Sequence, residues 1–176
     1  MTISIKHWLL ALGLATAGTV HAEITVDMHS ISAEGVGDSV GAVVLVDSPY
    51  GLLITPNLQG LTPGQHGFHV HTNPDCGAGE KDGKKVAGLA AGGHFDPANT
   101  GVHKGPYDSS GHLGDLPPLY VDSEGKAVTP MLAPRLKEED IKGRSLMVHM
   151  HGDNFSDEPA PLGGGGARMI CGVIPE

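Results

Sequence analysis

Histidine side chains dominate the groups in this sequence that could do chemistry. The segment HGFHVH at 66–71 carries three imidazoles within a strand-like pattern. His69 and His71 are two residues apart, so both rings project from one strand face while Phe68 and Val70 project from the other. We therefore predict that His69 and His71 form half of a metal-binding site.

A Gly-rich polar stretch further along supplies three more imidazoles and a carboxylate. Three imidazoles and a carboxylate suit tetrahedral zinc, and the spacing His112-x-x-Asp115 lets one turn supply two ligands. The alternative, histidines scattered in a polar loop, does not predict that each lies beside glycine or within a tight turn. The segments GGHFDP, GVHKGP and GHLGDLP contain these residues as His94, His103, His112 and Asp115.

A second pair of histidines, His149 and His151 in LMVHMHGD, also shares one face of a predicted strand. Imidazole-rich sites without a cysteine or methionine ligand suit copper(II) or zinc. We interpret Met147 and Met150 as packing residues. We interpret His66, which precedes a glycine where the alternation can break, as a structural residue whose ring hydrogen-bonds to the backbone.

Short β-branched runs separated by Gly, Pro, Asn and Asp indicate an all-β sandwich or barrel. Two long Gly-rich polar stretches, 74–115 and 152–167, interrupt them, and loops of more than about 12 to 15 residues tend to be functional. Disorder is the alternative for both stretches, and the histidines and nearby cysteines count against it. One short helix is predicted at 136–143. The predicted strands and hairpins are 24–32, 39–48, 51–58, 67–73, 119–130, 144–151 and 168–174.

The first residues have the pattern of an export signal. A basic lead with Lys6, a short apolar run and small residues ending at Ala22 predict cleavage after residue 22. The apolar run is too short for a bilayer of about 30 Å. The remaining 154 residues fit one domain. In an exported protein, Cys76 and Cys171 are expected to form a disulfide, with two reduced cysteines as the alternative.

Cleavage after residue 22 would remove Lys6 and no acidic residue, so the net charge would change from −9 to −10. This acidity disfavours a nucleic acid or an anionic membrane as partner. Either a monomer or a homodimer is compatible with the sequence.

Five motifs follow one another along the whole mature chain: HGFHVH, GGHFDP, GHLGDLP, LMVHMHGDN and GGGGARMICGVI. In this order they resemble the bacterial periplasmic copper/zinc superoxide dismutases. The resemblance implies an eight-stranded Greek-key β-barrel or sandwich with two long functional loops. It also implies dismutation of superoxide to dioxygen and hydrogen peroxide in the periplasm, with one copper and one zinc ion per subunit.

The same resemblance implies roles for individual residues. Arg168 and His94 would be catalytic, with Arg168 attracting the anionic substrate. Asp153 would hydrogen-bond to two metal ligands, His69 and His103, and fix their orientation. Cys76 and Cys171 would form the disulfide of the family, and His66 would be its non-ligand histidine. The implied copper ligands are His69, His71, His94 and His149, and the implied zinc ligands are His94, which would bridge the metals, with His103, His112 and Asp115.

Two histidines match no ligand of the family. We expect His29 to be an ordinary strand residue and His151 to be an exposed ring, with an auxiliary copper contact as the alternative for His151.

An acidic enzyme with an anionic substrate needs a local positive field. Arg168 is the best source of that field. Lys81, Lys84 and Lys85 are further candidates, and an ordinary solvated loop is the alternative for them.

Two other functions compete with the enzyme. A copper/zinc buffer or chaperone would need the ligands but not Arg168 beside the disulfide. A zinc-stabilised structural protein would leave His69, His71 and His149 unexplained.

Overall fold

The computed structural model describes residues 23–176, and the predicted export segment, 1–22, lies outside them. Strands and connecting loops make up nearly all of this part, as predicted. One helix, α1 (Glu138–Ile141), is a single turn. The strands are β1 (Ile24–Ser32), β2 (Gly35–Ser48), β3 (Gly51–Leu58), β4 (Gly64–His66), β5 (Phe68–His71), β6 (Gly79–Lys81), β7 (Lys84–Val86), β8 (Leu119–Val121), β9 (Met131–Ala133), β10 (Ser145–His149) and β11 (Arg168–Val173).

Seven strands form one antiparallel sheet in the order β5-β10-β11-β1-β2-β3-β9. A separate pair, β4 and β8, connects β5 at one edge of this sheet with β3, the strand next to the other edge. β4 leads directly into β5, and the chain after β8 pairs with the end of β3 through Leu58 and Ala127. These links curl the sheet on itself. The all-β prediction is confirmed. Instead of the expected eight strands, the described part has seven strands in one sheet and two separate two-stranded pairs, β4–β8 and β6–β7.

The predicted strands at 24–32 and 51–58 have the bounds of β1 and β3. Three elements were not predicted: the short strands β4 and β9, and the hairpin β6–β7 within the first long stretch. Each of these strands has only three residues, too few for an alternating pattern to be recognised. No helix of the described part is long and apolar enough to cross a membrane.

The interior of the curled sheet is filled by alternating apolar side chains. Every second residue of a strand faces this interior, and it packs beside the inward-facing residues of the neighbouring strands. Its fully buried members include Val26, Met28, Val43, Leu45, Leu52, Ile54, Phe68, Val70, Leu146 and Val148.

Two long connections lie outside this core: the first long loop, residues 72–118, and the second long loop, residues 150–167. A small apolar cluster on the outer face of the sheet holds the first of them. In that cluster Met147 of β10 packs with Ala91 and the two cysteines, beside Ile31. The first long loop therefore packs on the face opposite the core.

Candidate metal centre

Strands β5 and β10 place three histidines close together. The two strands are antiparallel neighbours, with His71 opposite Ser145 and His69 opposite Met147. All four residues of β5 are buried: Phe68 and Val70 lie in the core, and the two imidazoles lie on the other face. His149, the last residue of β10, joins them there.

The first long loop returns to the free edge of β5 and extends its hydrogen bonding. The Val70 N–H donates to the Gly114 carbonyl, and the Phe95 N–H donates to the Val70 carbonyl, both at 2.8 Å. As a result His94 pairs with His71 and Asp115 pairs with His69 across this edge. Backbone pairing thus places two loop side chains beside the strand histidines.

The first ligand group consists of His69, His71, His94 and His149. Each is buried, and one ligand atom from each lies within 4.8 Å of the others. The Nε2 atoms of His71 and His149 are 3.4 Å apart. Four convergent imidazoles form a donor set that suits copper(II) or zinc.

The second ligand group consists of His69, His94, His103 and Asp115, with ligand atoms within the same 4.8 Å. His112, a predicted zinc ligand, lies outside this limit. Its Nδ1 is nevertheless 3.3 Å from Asp115 Oδ1. The structure therefore brings His112 to the edge of the group rather than into it.

Three buried ring nitrogens have no hydrogen-bond partner: Nδ1 of His69, Nε2 of His94 and Nδ1 of His103. His103 Nδ1 lies 3.0 Å from Asp115 Oδ2 but is not aligned for a hydrogen bond. Leaving a buried polar atom unpaired costs about 1 to 3 kcal/mol. Three such atoms within the two ligand groups fit the coordination of metal ions there.

His94 belongs to both groups, and its two nitrogens have different surroundings. Its Nδ1 lies 3.0 Å from Asp115 Oδ1, whereas Nε2 is one of the unpaired atoms. One ring can therefore present a nitrogen to each group.

The imidazoles of the first ligand group are held in the neutral form. Burial, reinforced by positive neighbours, lowers the pKa of His69 and His71 well below the usual range. Burial also lowers the pKa of His94, and it lowers the pKa of His149 to about 4. Neutral imidazole is the form that binds metals, so these rings are available as ligands at neutral pH.

The two residues that only the second ligand group contains, His103 and Asp115, favour their charged forms instead. Burial opposes a charge on His103, yet the carboxylates of Asp115 and Asp153 raise its pKa to about 9. Burial would raise the pKa of Asp115, but contacts with His103, His112 and His94 hold it below the usual range. A cation is therefore favoured among these carboxylates, either a proton on His103 or a metal ion in its place.

Two aspartates of the second long loop contact the first. Asp153 accepts hydrogen bonds from Nε2 of His69 at 2.7 Å and from Nε2 of His103 at 2.8 Å. These bonds direct the opposite nitrogen of each ring, Nδ1, into the site. Asp157 accepts bonds from the backbone N–H groups of His103 and Leu162, both at 2.9 Å.

The disulfide prediction is confirmed: Cys76 is bonded to Cys171. It ties the first long loop to β11, the strand that begins with Arg168. The Arg168 guanidinium donates to the backbone carbonyls of Gly88 and Gly92 in the same loop. Arg168 also lies opposite His149 in the pairing of β10 with β11.

Within residues 23–176, His66, His151 and His29 lie outside the ligand groups. His66 is buried, and its ring contacts the carbonyls of Thr62 and His149, each at 2.8 Å, which confirms the predicted backbone contacts. His151 is exposed, and His29 lies in β1 with its ring 3.3 Å from the Gly37 carbonyl.

Two residues that hold the site were not predicted from the sequence. Arg135 donates to carbonyls of the first long loop, and Asp157 joins the two long loops. Both act on backbone atoms far away in sequence, so no local pattern marks them. An isolated arginine in the apolar segment MLAPRL was the only available signal for Arg135.

Comparison with known proteins gives the family. A family model described as copper/zinc superoxide dismutase matches residues 39–174. Cu-Zn superoxide dismutase 1 of Salmonella typhimurium (strain LT2) is 60% identical over 175 residues, which cover 97% of this chain and 99% of the relative. The Cu-Zn superoxide dismutase of Escherichia coli (strain K12) is 50% identical over 167 residues, covering 94% of this chain and 95% of the relative.

Solved structures give the same result. The Cu/Zn superoxide dismutase from Brucella abortus superposes with a TM-score of 0.85 at 55% identity, covering 87% of this chain and 99% of that one. The monomeric copper, zinc superoxide dismutase from Salmonella enterica superposes with a TM-score of 0.79 at 52% identity, over the same shares of the chains. This chain belongs to the copper/zinc superoxide dismutase family, and its activity is the dismutation of superoxide.

Proposed function

We propose that the two ligand groups hold one metal ion each. Copper would be bound by His69, His71, His94 and His149, and zinc by His94, His103, His112 and Asp115. The observation that carries this proposal is the set of unpaired buried nitrogens on three of these rings. His112 completes the zinc set because its ring already contacts Asp115. His69 is assigned to copper alone, because its bond to Asp153 leaves Nδ1 as its one free nitrogen.

Two superoxide ions and two protons give one dioxygen and one hydrogen peroxide. When bound, copper supplies the one-electron redox couple and zinc supplies a fixed positive charge without redox chemistry. The residues of the chain must then attract an anion, hold the ligands in place and deliver protons.

His94 is suited to proton delivery. Its Nδ1 is fixed beside Asp115, while Nε2 has no protein partner. Burial lowers the pKa of this ring, so a proton taken up at Nε2 is readily given back to a basic product. We infer that His94 would serve as a ligand in both groups, and that its Nε2, when not bound to metal, would hold a proton taken from solvent and pass it to the reduced product.

Arg168 is suited to attracting and orienting the substrate. It is half-buried, and two loop carbonyls fix its guanidinium. Arg168 lies opposite His149 in the pairing of β10 with β11, and its positive charge adds to the effect of burial in lowering the pKa of both His71 and His149. An anion approaching this group therefore meets a fixed cation despite the acidity of the chain.

We further propose that the protein works in the periplasm as a monomer. The export pattern of 1–22 and the disulfide both fit an oxidising compartment. The Salmonella enterica structure, described as monomeric, supports the oligomeric state. Fractionation of cells and sedimentation of the purified protein test the two parts separately.

The histidines of β10 and its continuation provide a matched test of the copper site. His149→Ala should lose copper and dismutase activity, because it removes a buried ligand. His151→Ala changes the same residue type two positions later, where the ring is exposed, and should keep both. Metal content and superoxide removal are measured after loading with copper and zinc. Full copper content in His149→Ala, or equal losses in both variants, would contradict the proposed ligands.

A further inference from the structure

Arg135 contacts one loop segment through its whole guanidinium group. Its Nε donates to the Pro106 carbonyl at 3.0 Å, and Nη1 donates to the Gly111 carbonyl at 3.4 Å. Its Nη2 donates to the Gly105 carbonyl at 3.3 Å and, at shorter distance, to the His112 carbonyl. Four carbonyl oxygens from both ends of segment 105–112 therefore meet on one rigid group.

Two of the residues that accept hydrogen bonds from Arg135, Gly105 and His112, also contact the proposed zinc ligand Asp115, and His112 is itself a proposed zinc ligand. The Gly105 carbonyl accepts from Arg135, while the Gly105 N–H donates to Asp115 Oδ2 at 3.2 Å. The His112 carbonyl accepts from Arg135, while the His112 ring contacts Asp115 Oδ1. A displacement of either carbonyl therefore moves an atom that contacts the Asp115 carboxylate.

The backbone around Arg135 is anchored in the core. It lies two residues after the end of β9, and the turn containing it is closed by a hydrogen bond from the Leu136 N–H to the Ala133 carbonyl. Leu136 and Ala133 are both buried in the core. The guanidinium thus connects segment 105–112 to the core of the sheet.

We propose that Arg135 is a positioning residue for zinc: it holds segment 105–112 in the shape that presents His112 and Asp115 to the metal. The inference rests on the proposed zinc ligands. Arg135 would touch neither the metal nor the substrate. Its effect on zinc binding would come from four hydrogen bonds to neutral carbonyls.

The sign of the effect separates positioning from electrostatics. A positive charge near a dication repels it, so removing the charge alone would strengthen zinc binding. Loss of the loop's shape would weaken zinc binding instead. Arg135→Gln removes both the charge and the fork of donors, and positioning predicts weaker binding by about ten- to a hundredfold, the usual effect of losing a group that orients metal ligands. Arg135→Lys keeps the charge but not the fork, and should also weaken binding.

Lys137 provides the matched control. It lies two residues further along the same segment, and its ammonium group donates to a backbone carbonyl, that of Ser48 in β2. Lys137→Gln therefore removes a cation and a carbonyl bond without touching segment 105–112.

The experiment measures zinc affinity by competition with a chelator on the purified, metal-stripped protein. Cobalt(II) in place of zinc reports ligand geometry through its visible absorption. The copper affinity of the zinc-free protein is the internal reference, because the hydrogen bonds of the Arg135 side chain go to residues 105–112 and to none of the proposed copper ligands. Both Arg135 variants should bind zinc more weakly and change the cobalt spectrum, with copper affinity and the Lys137→Gln variant unchanged.

Two results would overturn the inference. Zinc affinity equal to or higher than that of the unchanged protein in both variants would exclude positioning. Equal weakening of zinc and copper would mean general destabilisation. If Arg135→Gln does not fold, Arg135→Lys decides on the same criteria. An unchanged protein that binds no zinc would refute the proposed zinc site itself, a failure distinct from that of Arg135 alone.

Discussion

Replacing Asp153 by asparagine should weaken metal binding while leaving every proposed ligand in the chain. One carboxylate oxygen accepts from His69 at 2.7 Å, and the other accepts from His103 at 2.8 Å and from the Phe155 N–H at 2.7 Å. An asparagine keeps one acceptor oxygen and presents its NH2 group to the other imidazole N–H. One of the two imidazole N–H groups therefore faces another donor and loses its hydrogen bond.

The size of the effect follows from that lost bond. A hydrogen bond to a charged group contributes about 1.5 to 3 kcal/mol. Since about 1.4 kcal/mol corresponds to a factor of ten, the affinity for metal should fall about ten- to a hundredfold. Zinc should be affected through His103 and copper through His69, so both affinities are measured, each by competition with a chelator.

Asp157→Asn is the control for this prediction. Asp157 lies in the same loop, but its oxygens accept only from backbone N–H groups. The same change of charge there should reduce metal affinity clearly less. The reasoning fails if Asp153→Asn binds both metals within twofold of the unchanged protein, or if the two variants lose affinity equally.

Three further predictions concern charge. Arg168→Gln should keep both metals but lose most of its superoxide-removing rate, and a rate equal to that of the unchanged protein at low salt would show that Arg168 does not attract the substrate. Changing Lys81, Lys84 and Lys85 together to glutamine should lower the rate at low ionic strength, and the difference from the unchanged protein should fade as salt rises. Lys81 and Lys84 are directly opposite each other in β6 and β7, and such a like-charge pair lowers stability. The metal-free protein should lose stability as pH falls from about 6.5 to 4, because His149 has a pKa near 4 when folded and near 6.5 when unfolded. That shift corresponds to about 3 kcal/mol at 1.36 kcal/mol per pKa unit, and denaturant unfolding at several pH values would contradict it if stability stayed constant over this interval.

The sequence predicts those parts of the site that depend on local pattern. The alternation of His69 and His71 with Phe68 and Val70 places the imidazoles on one face, and β5 has this arrangement. The predicted export segment supports the prediction of the disulfide, because disulfides persist in oxidising compartments. In each case the deciding information lies within a few residues or in the residue type itself.

Other parts depend on contacts that no pattern records. The pairing of His94 and Asp115 with β5 results from backbone hydrogen bonds formed after a loop of more than twenty residues has closed. Arg135 and Asp157 bind carbonyl and N–H groups, which every residue possesses, so their partners cannot be recognised from residue types. The distance of His112 from the second ligand group likewise depends on loop geometry.

We expect the bond between Cys76 and Cys171 to make full activity depend on the redox state of the compartment. Cys171 lies three residues after Arg168, and Cys76 lies near the start of the first long loop, whose Gly88 and Gly92 carbonyls fix the guanidinium. In a reducing compartment the ligands of β5 and β10 would remain on their strands, but the loop would lose its covalent tie to β11. We expect such a protein to acquire metal while its substrate-attracting cation is poorly held. Export would then act as the final activation step, confining full activity to the compartment where the disulfide persists.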